Sequence, residues 1–103
     1  MSEFKFESGQ VIHHKNLGYR GVILSVDDTF EGTEEWYERV ARSNPPRDKP
    51  WYHVLVHDSE HETYVAERNL EPDLDGGPVK HPLVEIFFDE LRDGRYIRNR
   101  PLN

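Results

Sequence analysis

Two short runs of this chain are apolar, aromatic or β-branched almost from end to end, and they restrict the fold to one built around a buried sheet. They are residues 22–26 (VILSV) and residues 51–56 (WYHVLV). Aromatic and β-branched side chains favour extended backbone, and a run without polar alternation leaves neither face of a strand to water. The first run is predicted to be a buried strand, and the second a central strand covered on both faces.

A shorter strand pattern precedes the first run. Residues 11–14 follow a turn at Gly9-Gln10, and we predict that they form a hairpin-like pair with residues 22–26. Gly21 lies at the start of the second strand of this pair. A glycine inside a strand usually marks a bulge or the close approach of another backbone, and either outcome is expected at Gly21.

The second run is predicted to pair with the strand that follows it. Residues 57–61 are polar and form the turn, and residues 62–66 return as a strand. Residues 67–70 are predicted to form a single tight helical turn that closes the sheet. Four strands and this closing turn occupy residues 9–70.

A helix is expected as an insertion between the second and third strands. Thr33 can cap it, and Glu34-Glu35 place negative charge in its first turn, where unpaired N–H groups favour anions. The helix is predicted to end near Ser43, because Pro45-Pro46 cannot continue it. Trp36 belongs to its apolar stripe, and we expect this side chain to pack in the core.

The C-terminal third begins with a linker at residues 73–78, which are rich in Asp, Gly and Pro. A second amphipathic helix is predicted from Pro82 until Gly94 stops it, with a strand at residues 84–88 as the alternative. Tyr96 and Ile97 are expected to add a last extended pairing. The chain thus divides into a barrel domain at residues 1–74 and a linker with a C-terminal extension at residues 75–103, packed on the same domain.

The 103 residues leave room for one domain, and their net charge of −7 is unevenly distributed. Residues 1–79 hold sixteen acidic residues against eight Lys and Arg, whereas residues 80–103 hold four against five. Phosphate binding gains its energy from several basic side chains that displace counterions, so the acidic body is a poor platform for nucleic acid. The one basic cluster, which we interpret as the solvated part of a terminal segment, consists of Arg92, Arg95, Arg98 and Arg100.

Six histidines in a chain without cysteine raise the question of a metal site. His53, His57 and His61 are spaced by four residues, which gathers ligands on a helix. Here the spacing spans a strand, a turn and the next strand, so these side chains are not expected to converge. A surface ion held by His57 and His61 with Asp58 or Glu60 stays open as an alternative, but the prediction is that the chain binds no metal and no cofactor.

The chain carries no signature of an enzyme. It has no Gly-x-Ser-x-Gly sequence, no phosphate-binding glycine loop and no HExxH motif, so a non-enzymatic protein is predicted. It also has no apolar run that resembles a signal peptide or a membrane span, and without cysteine it has no disulfide. A cytoplasmic protein without a membrane partner is expected.

The order and spacing of several segments between residues 4 and 72 resemble the YccV-like family, also called the HspQ family, whose members are described as hemimethylated-DNA-binding proteins and as heat-shock proteins. The segments are Gly9-Gln10-Val11, Gly18-Tyr19-x-Gly21-Val22-Ile23, Asp27, Pro50-Trp51-Tyr52-His53-Val54 and Tyr64-Val65-Ala66-Glu67-x-Asn69-Leu70. The resemblance implies a mainly β fold, a small and strongly bent SH3-like barrel, and a homo-oligomer in the form of a trimer. His81-Pro82, Phe87-Phe88 and Tyr96-Ile97-x-Asn99 resemble the C-terminal extension of longer members, including an F-box protein of animals.

The resemblance implies two different functions. In one, the protein is a heat-shock-type adaptor that binds an ATP-dependent protease of the Lon or Clp type, or the clients of that protease. In the other, it binds hemimethylated DNA and influences the initiation of replication. The acidic body favours the adaptor, and DNA binding is kept as the alternative.

Each function has its own candidate residues. A partner peptide would contact aromatic side chains, for which the candidates are Tyr19, Trp51, Tyr52 and Tyr64, although buried aromatics dominate small cores and these four could equally form one. Phosphate groups would need basic side chains, for which the candidates are Arg20, Arg92, Arg95, Arg98 and Arg100.

Overall fold

A computed structural model describes residues 4–41 and 43–98, and within these ranges the protein is mainly β. The strands are β1 (Val11–His14), β2 (Arg20–Asp27), β3 (Trp51–Val56), β4 (Glu62–Ala66), β5 (Leu70–Pro72), β6 (Glu90–Arg92) and β7 (Arg95–Ile97). The helices are α1 (Glu34–Val40), α2 (Val84–Phe87) and a 3-10 turn at Glu67–Asn69. The predicted mainly β class is therefore confirmed. None of the described helices is long and apolar enough to cross a membrane.

Five strands form one antiparallel sheet in the order β4-β3-β2-β1-β5, and β6 and β7 form a separate hairpin. In the described part of the chain no ladder joins β4 to β5, so the sheet has two edges and is not closed into a barrel. The predicted 3-10 turn is present and carries the chain from one edge to the other. The sequence did not reveal β5, which pairs His14 with Leu70 and extends the sheet beyond that turn.

Gly21 lies where two strands come unusually close. A β-carbon at this position would lie 2.6 Å from Cγ1 of Val54 and 2.7 Å from the carbonyl oxygen of Leu55, so only glycine fits without movement. The predicted close approach is confirmed. The bulge lies three residues further on, because the β2–β3 register shifts between Ile23 and Ser25 and leaves Leu24 as the extra residue.

The sheet buries apolar side chains on both faces. Successive residues of β3 alternate between these faces, so Tyr52 and Val54 lie on one face while Trp51 and Leu55 lie on the other. The first face is covered by the N-terminal segment through Phe6 and by β5. The second face has two covers. The C-terminal cover (residues 79–98) packs over Val11, Val22 and Leu55, and the α1 cover (residues 30–41) packs over Trp51 and Ala66.

Helix α1 begins as the sequence predicted. Oγ1 of Thr33 accepts a hydrogen bond from the backbone N–H of Trp36 at 3.1 Å, which satisfies one of the unpaired donors of the first turn. The helix ends at Val40, three residues before the predicted end.

The predicted second helix is wrong beyond its first turn. Helix α2 ends at Phe87, and the chain then forms the β6–β7 hairpin. Asp93 and Gly94 are the two loop residues, with φ of 53° and 78°, and an Asp-Gly pair adopts this left-handed backbone more readily than other sequences. The sequence signal for the hairpin is thus Asp93-Gly94, whose glycine also fits the end of the predicted helix. The predicted extended pairing of Tyr96 and Ile97 is confirmed in β7, and the strand alternative for residues 84–88 is wrong.

Candidate functional site

A groove of about 860 Å³ runs along strand β4. We call it the β4 groove. One wall comes from α1 and the loop before it, and the other from the turn between β1 and β2. The groove is lined by side chains from three places: Leu17 and Tyr19 from the turn, Asp27, Glu31, Trp36 and Val40 from the other wall, and Trp51, His53, Glu62, Thr63 and Tyr64 from the sheet.

A cluster of aromatic rings supports the groove from beneath. Trp51 is 1% exposed and lies 5.2 Å from Tyr64, 6.1 Å from Trp36 and 4.9 Å from Phe30, measured between ring centroids. Trp36 packs on this cluster as predicted, yet it is only half-buried and also lines the groove. The cluster therefore presents large apolar rings to a surface that water reaches.

A hydrogen-bonded group of polar side chains lies at the end of the groove where Asp27 leaves β2. The hydroxyl of Tyr64 donates to Oδ2 of Asp27 at 2.7 Å and accepts from the backbone N–H of Glu31 at 2.9 Å. Burial, together with the Asp27 carboxylate, raises the pKa of the Tyr64 hydroxyl, so this group remains a donor at neutral pH. The ring of His53 lies between two carboxylates, with Nε2 3.2 Å from Asp27 and Nδ1 3.2 Å from Glu62.

Side-chain hydrogen bonds tie the turn that forms the opposite wall to the sheet. The hydroxyl of Tyr19 and Oγ1 of Thr63 are 2.8 Å apart and share a hydrogen bond. Nδ1 of buried His14 accepts from the backbone N–H groups of Asn16 and Leu17 at 3.2 and 3.0 Å. Burial lowers the pKa of His14, with a smaller contribution from His13, which favours the neutral ring that can accept these bonds.

The four aromatic candidates are divided between two places. Tyr19, Trp51 and Tyr64 line the β4 groove. Tyr52 lies on the opposite face of the sheet, has no exposed surface and donates its hydroxyl hydrogen to Oε2 of Glu67 at 2.6 Å. In this structure Tyr52 is a core residue that a partner cannot contact.

The arginine candidates that the structure describes each contact groups of the same chain. Arg20 donates to Oδ2 of Asp73 at 3.0 Å and to the carbonyl of Gly77 at 2.7 Å. Arg92 pairs with Glu90, and Arg95 pairs with Glu7.

Arg98 donates to two backbone carbonyls, those of Phe87 and Leu24, and its guanidinium lies 5.1 Å from the ring centre of Phe88. Arg100 lies outside the described residues. The four described candidates therefore contact groups of the same chain. The register of the β6–β7 hairpin places Arg92 opposite Arg95, and each of these two is paired with a glutamate.

No group of three His, Asp or Glu side chains in residues 4–41 and 43–98 is arranged to hold a metal ion. At the position of the surface-ion alternative, Nδ1 of His57 accepts from the backbone N–H of Lys80 at 2.8 Å, and Nε2 lies 3.3 Å from Asp58. His61 offers its backbone carbonyl to His81. The rings of His57 and His81 thus hold neighbouring segments together.

The sequence reasoning missed the acidic residues of the groove, Asp27, Glu31 and Glu62, as members of one site. In the sequence, Asp27 stands out only as a match to the family pattern. Its partner Tyr64 lies 37 positions away in the sequence, and pairing of β2 with β3 and of β3 with β4 brings the two together. Alternation along β4 places Glu62 and Tyr64 on one face, which was the available signal.

The family model described as "Hemimethylated DNA-binding protein YccV like" matches residues 4–95 of the chain.

Proposed function

The chain belongs to the YccV-like family, and from this premise we propose that it is a non-enzymatic adaptor of ATP-dependent proteolysis, of the Lon or Clp type. In this proposal the protein acts by binding, and the β4 groove holds a peptide segment of a client or of the protease. The charge distribution and the occupied arginines favour this function over one that depends on DNA.

The observation that carries the proposal is the combination of size and lining in the β4 groove. Its volume of about 860 Å³ is in the range of protein sites that hold ligands. Trp36 and Tyr64 offer half-buried rings, and Leu17 is 73% exposed at the opposite wall. Rings that are already held in place lose little conformational freedom on binding, so they suit recognition of a peptide.

The polar groups of the groove support a binding role. A catalytic acid or base needs a free position from which to reach a substrate proton. Here Tyr64, Asp27 and His53 contact one another, and the raised pKa of Tyr64 works against its use as a base. We therefore propose that these groups shape the groove and give it negative charge.

Binding of hemimethylated DNA remains the alternative, because the family description names it. In the described chain this function would have to break contacts that Arg20, Arg92, Arg95 and Arg98 already make with carboxylates and carbonyls. The free energy needed to break each of these contacts reduces the binding free energy that the arginine gains from a phosphate. If binding occurs, it should weaken steeply with salt, because every neutralised phosphate contributes to the slope.

Two parallel measurements test the proposal. Purified Lon-type and Clp-type proteases are supplied with a panel of heat-shock client proteins, and ATP-dependent degradation is followed with and without this protein. Hemimethylated, fully methylated and unmethylated duplexes are titrated at two salt concentrations. Faster degradation with no methylation-dependent binding supports the adaptor, whereas tight, methylation-dependent and salt-sensitive binding with unchanged degradation overturns it. A homotrimer in the cytoplasm is part of the proposal, and sedimentation equilibrium tests the trimer.

A further inference from the structure

We propose that the β4 groove binds an extended peptide as an additional strand on β4, and that this peptide alternates basic with apolar side chains. The inference rests on the proposed peptide-binding function and goes further, because it names the mode of binding and the chemistry of the partner.

The outer edge of β4 has unpaired backbone groups at regular intervals. Glu67 donates its N–H to the carbonyl of Pro50, and Val56 donates to the carbonyl of His61, so these two pairs bracket the β3–β4 ladder. Hydrogen-bonded pairs alternate along an antiparallel ladder, and the backbone groups of the residues between them point outward. The outward residues here include Glu62 and Tyr64, and no group of the described chain bonds to their N–H or C=O.

The two walls stand on opposite sides of this edge. Thr63 and Tyr64 are consecutive on β4, so their side chains point to opposite faces of the sheet. Thr63 bonds to Tyr19 of the β1–β2 turn, and Tyr64 packs against Trp36 of α1 with 5.8 Å between ring centroids. A strand added to β4 would therefore lie in a slot, with its alternate side chains facing different walls.

The chemistry of the walls specifies what those side chains are. On the α1 side the charged residues that line the groove are Asp27, Glu31 and Glu62, and the Glu62 side chain is 43% exposed. The described lining contains no Lys or Arg, and the ring that lies between Asp27 and Glu62 is that of His53. The turn side offers Leu17 and Tyr19 instead. An added peptide strand therefore gains most binding free energy when a basic side chain faces Glu62 and apolar side chains face Leu17.

A second copy of this chain is a poorer occupant. Pairing β4 with β4 of another molecule would bring the three carboxylates of one groove against the same three of the other. Like charges across an interface are costly, and the chain as a whole carries a net charge of −7.

Fluorescein-labelled peptides of about seven residues, long enough to span β4, test the inference by anisotropy. The lead probe has valine at alternate positions and a central arginine among threonines, and its partner probe has glutamate in place of the arginine. We expect the arginine probe to bind about tenfold or more tightly than the glutamate probe, which corresponds to one interfacial charge pair. N-methylation of one alternate set of peptide amides should abolish binding, while methylation of the other set leaves it intact, because only one set faces β4.

Two variants of the protein, each with one glutamate replaced by lysine, test the role of the groove charge. Glu62→Lys should reverse the preference between the two probes, whereas Glu60→Lys, in the exposed turn beside β4, should leave it unchanged. Equal effects of the two methylation patterns, or an unchanged preference in the Glu62→Lys variant that is folded by circular dichroism, would overturn the inference. A dimer of the free protein that the Glu62→Lys substitution strengthens would also overturn it, since β4 would then belong to a second copy.

The inference and the proposed function can fail separately. If degradation is stimulated but no probe binds in the groove, only the mode of binding is wrong. If the arginine probe binds as expected but no protease responds, the peptide site stands and the adaptor function is wrong.

Discussion

The two covers on one face of the sheet contain similar side chains but leave grooves of different size. In the C-terminal cover, Val79, Phe88 and Tyr96 are each at most 8% exposed, the sheet residues beneath them are sealed, and the groove that these three residues line measures about 400 Å³. In the α1 cover, Trp36 is half-buried and Val40 is 51% exposed, and a groove is left between α1 and β4. Apolar content therefore does not decide whether a surface becomes core or binding site. The path of the cover over the sheet decides it.

The covers also differ in what holds them. Arg98 fastens the C-terminal cover to the sheet, since it donates to the carbonyl of Leu24 in β2 as well as to Phe87. Arg47 lies 3.8 Å from the ring centre of Tyr37 and pairs with Glu34, so it ties the α1 cover to the loop that follows it. The N–H of Glu31 joins the start of this cover to the Tyr64 hydroxyl of β4, and in the described chain the backbone groups of Glu62 and Tyr64 at the edge of β4 stay unpaired.

The largest expected effect comes from removing a ring under the sealed cover. Phe88→Ala should destabilise the protein by about 3–5 kcal/mol, because the side chain is almost fully buried and its loss leaves a cavity. Ile86→Ala, in the same segment but 64% exposed, is the control and should change stability by less than about 0.5 kcal/mol. Urea unfolding measures both. Equal losses would show that this cover is not a sealed core.

Two glycines with positive φ test how closely the sealed cover approaches the sheet. In Gly9→Ala the new β-carbon would lie 2.1 Å from the carbonyl oxygen of Tyr96. We expect this overlap to lower the free energy of unfolding by about 1–3 kcal/mol, in addition to about 1–2 kcal/mol for an alanine in the left-handed backbone conformation. Gly18→Ala has the same sign of φ and nothing within 4 Å, so it should show the strain alone. Thermal unfolding of the two variants compares them. A Gly9→Ala variant as stable as Gly18→Ala would mean that β7 is free to move away.

A substitution in the α1 cover should change peptide binding more than it changes the stability of the protein. Trp36→Ala removes a half-buried ring, and we expect a loss of about 1–2 kcal/mol in unfolding free energy, below that of Phe88→Ala. Because the ring lines the groove, affinity for the arginine probe should fall about tenfold. Urea unfolding and anisotropy on the same preparation separate the two. Unchanged affinity would remove Trp36 from the binding surface.

The smallest expected effect is on pH dependence at the groove wall. The pKa of His14 is lower in the folded chain than its ordinary 6.5, because burial disfavours the charged ring. Well above pH 6.5 the ring is neutral in both the folded and the unfolded chain, so its protonation does not change the free energy of unfolding. As pH falls below 6.5 the unfolded chain takes up the proton first, so stability decreases. His14→Gln should flatten this part of the profile of unfolding free energy against pH. An unchanged slope in the His14→Gln variant would contradict the assignment.

Local sequence signals were sufficient where the structure is local. The Thr33 cap, the strand at Trp51–Val56, the 3-10 turn at Glu67–Asn69 and the tight approach at Gly21 were all predictable, since each depends on residues adjacent in the sequence or on the lack of a side chain. The hairpin at Asp93-Gly94 was predictable in principle. Its apolar neighbours also fit a helical period, and that period was preferred over the turn signal.

The sequence by itself determined that the chain is mainly β, that its family is YccV-like, and that its body carries an excess of acid. Periodicity, turn chemistry and composition are properties of short segments, so they can be read without coordinates. Only the tertiary structure decided that Tyr52 is core while Tyr64 faces a groove, and that the arginines are already occupied. Both outcomes depend on contacts between residues far apart in the chain, and strand order and register bring these residues together.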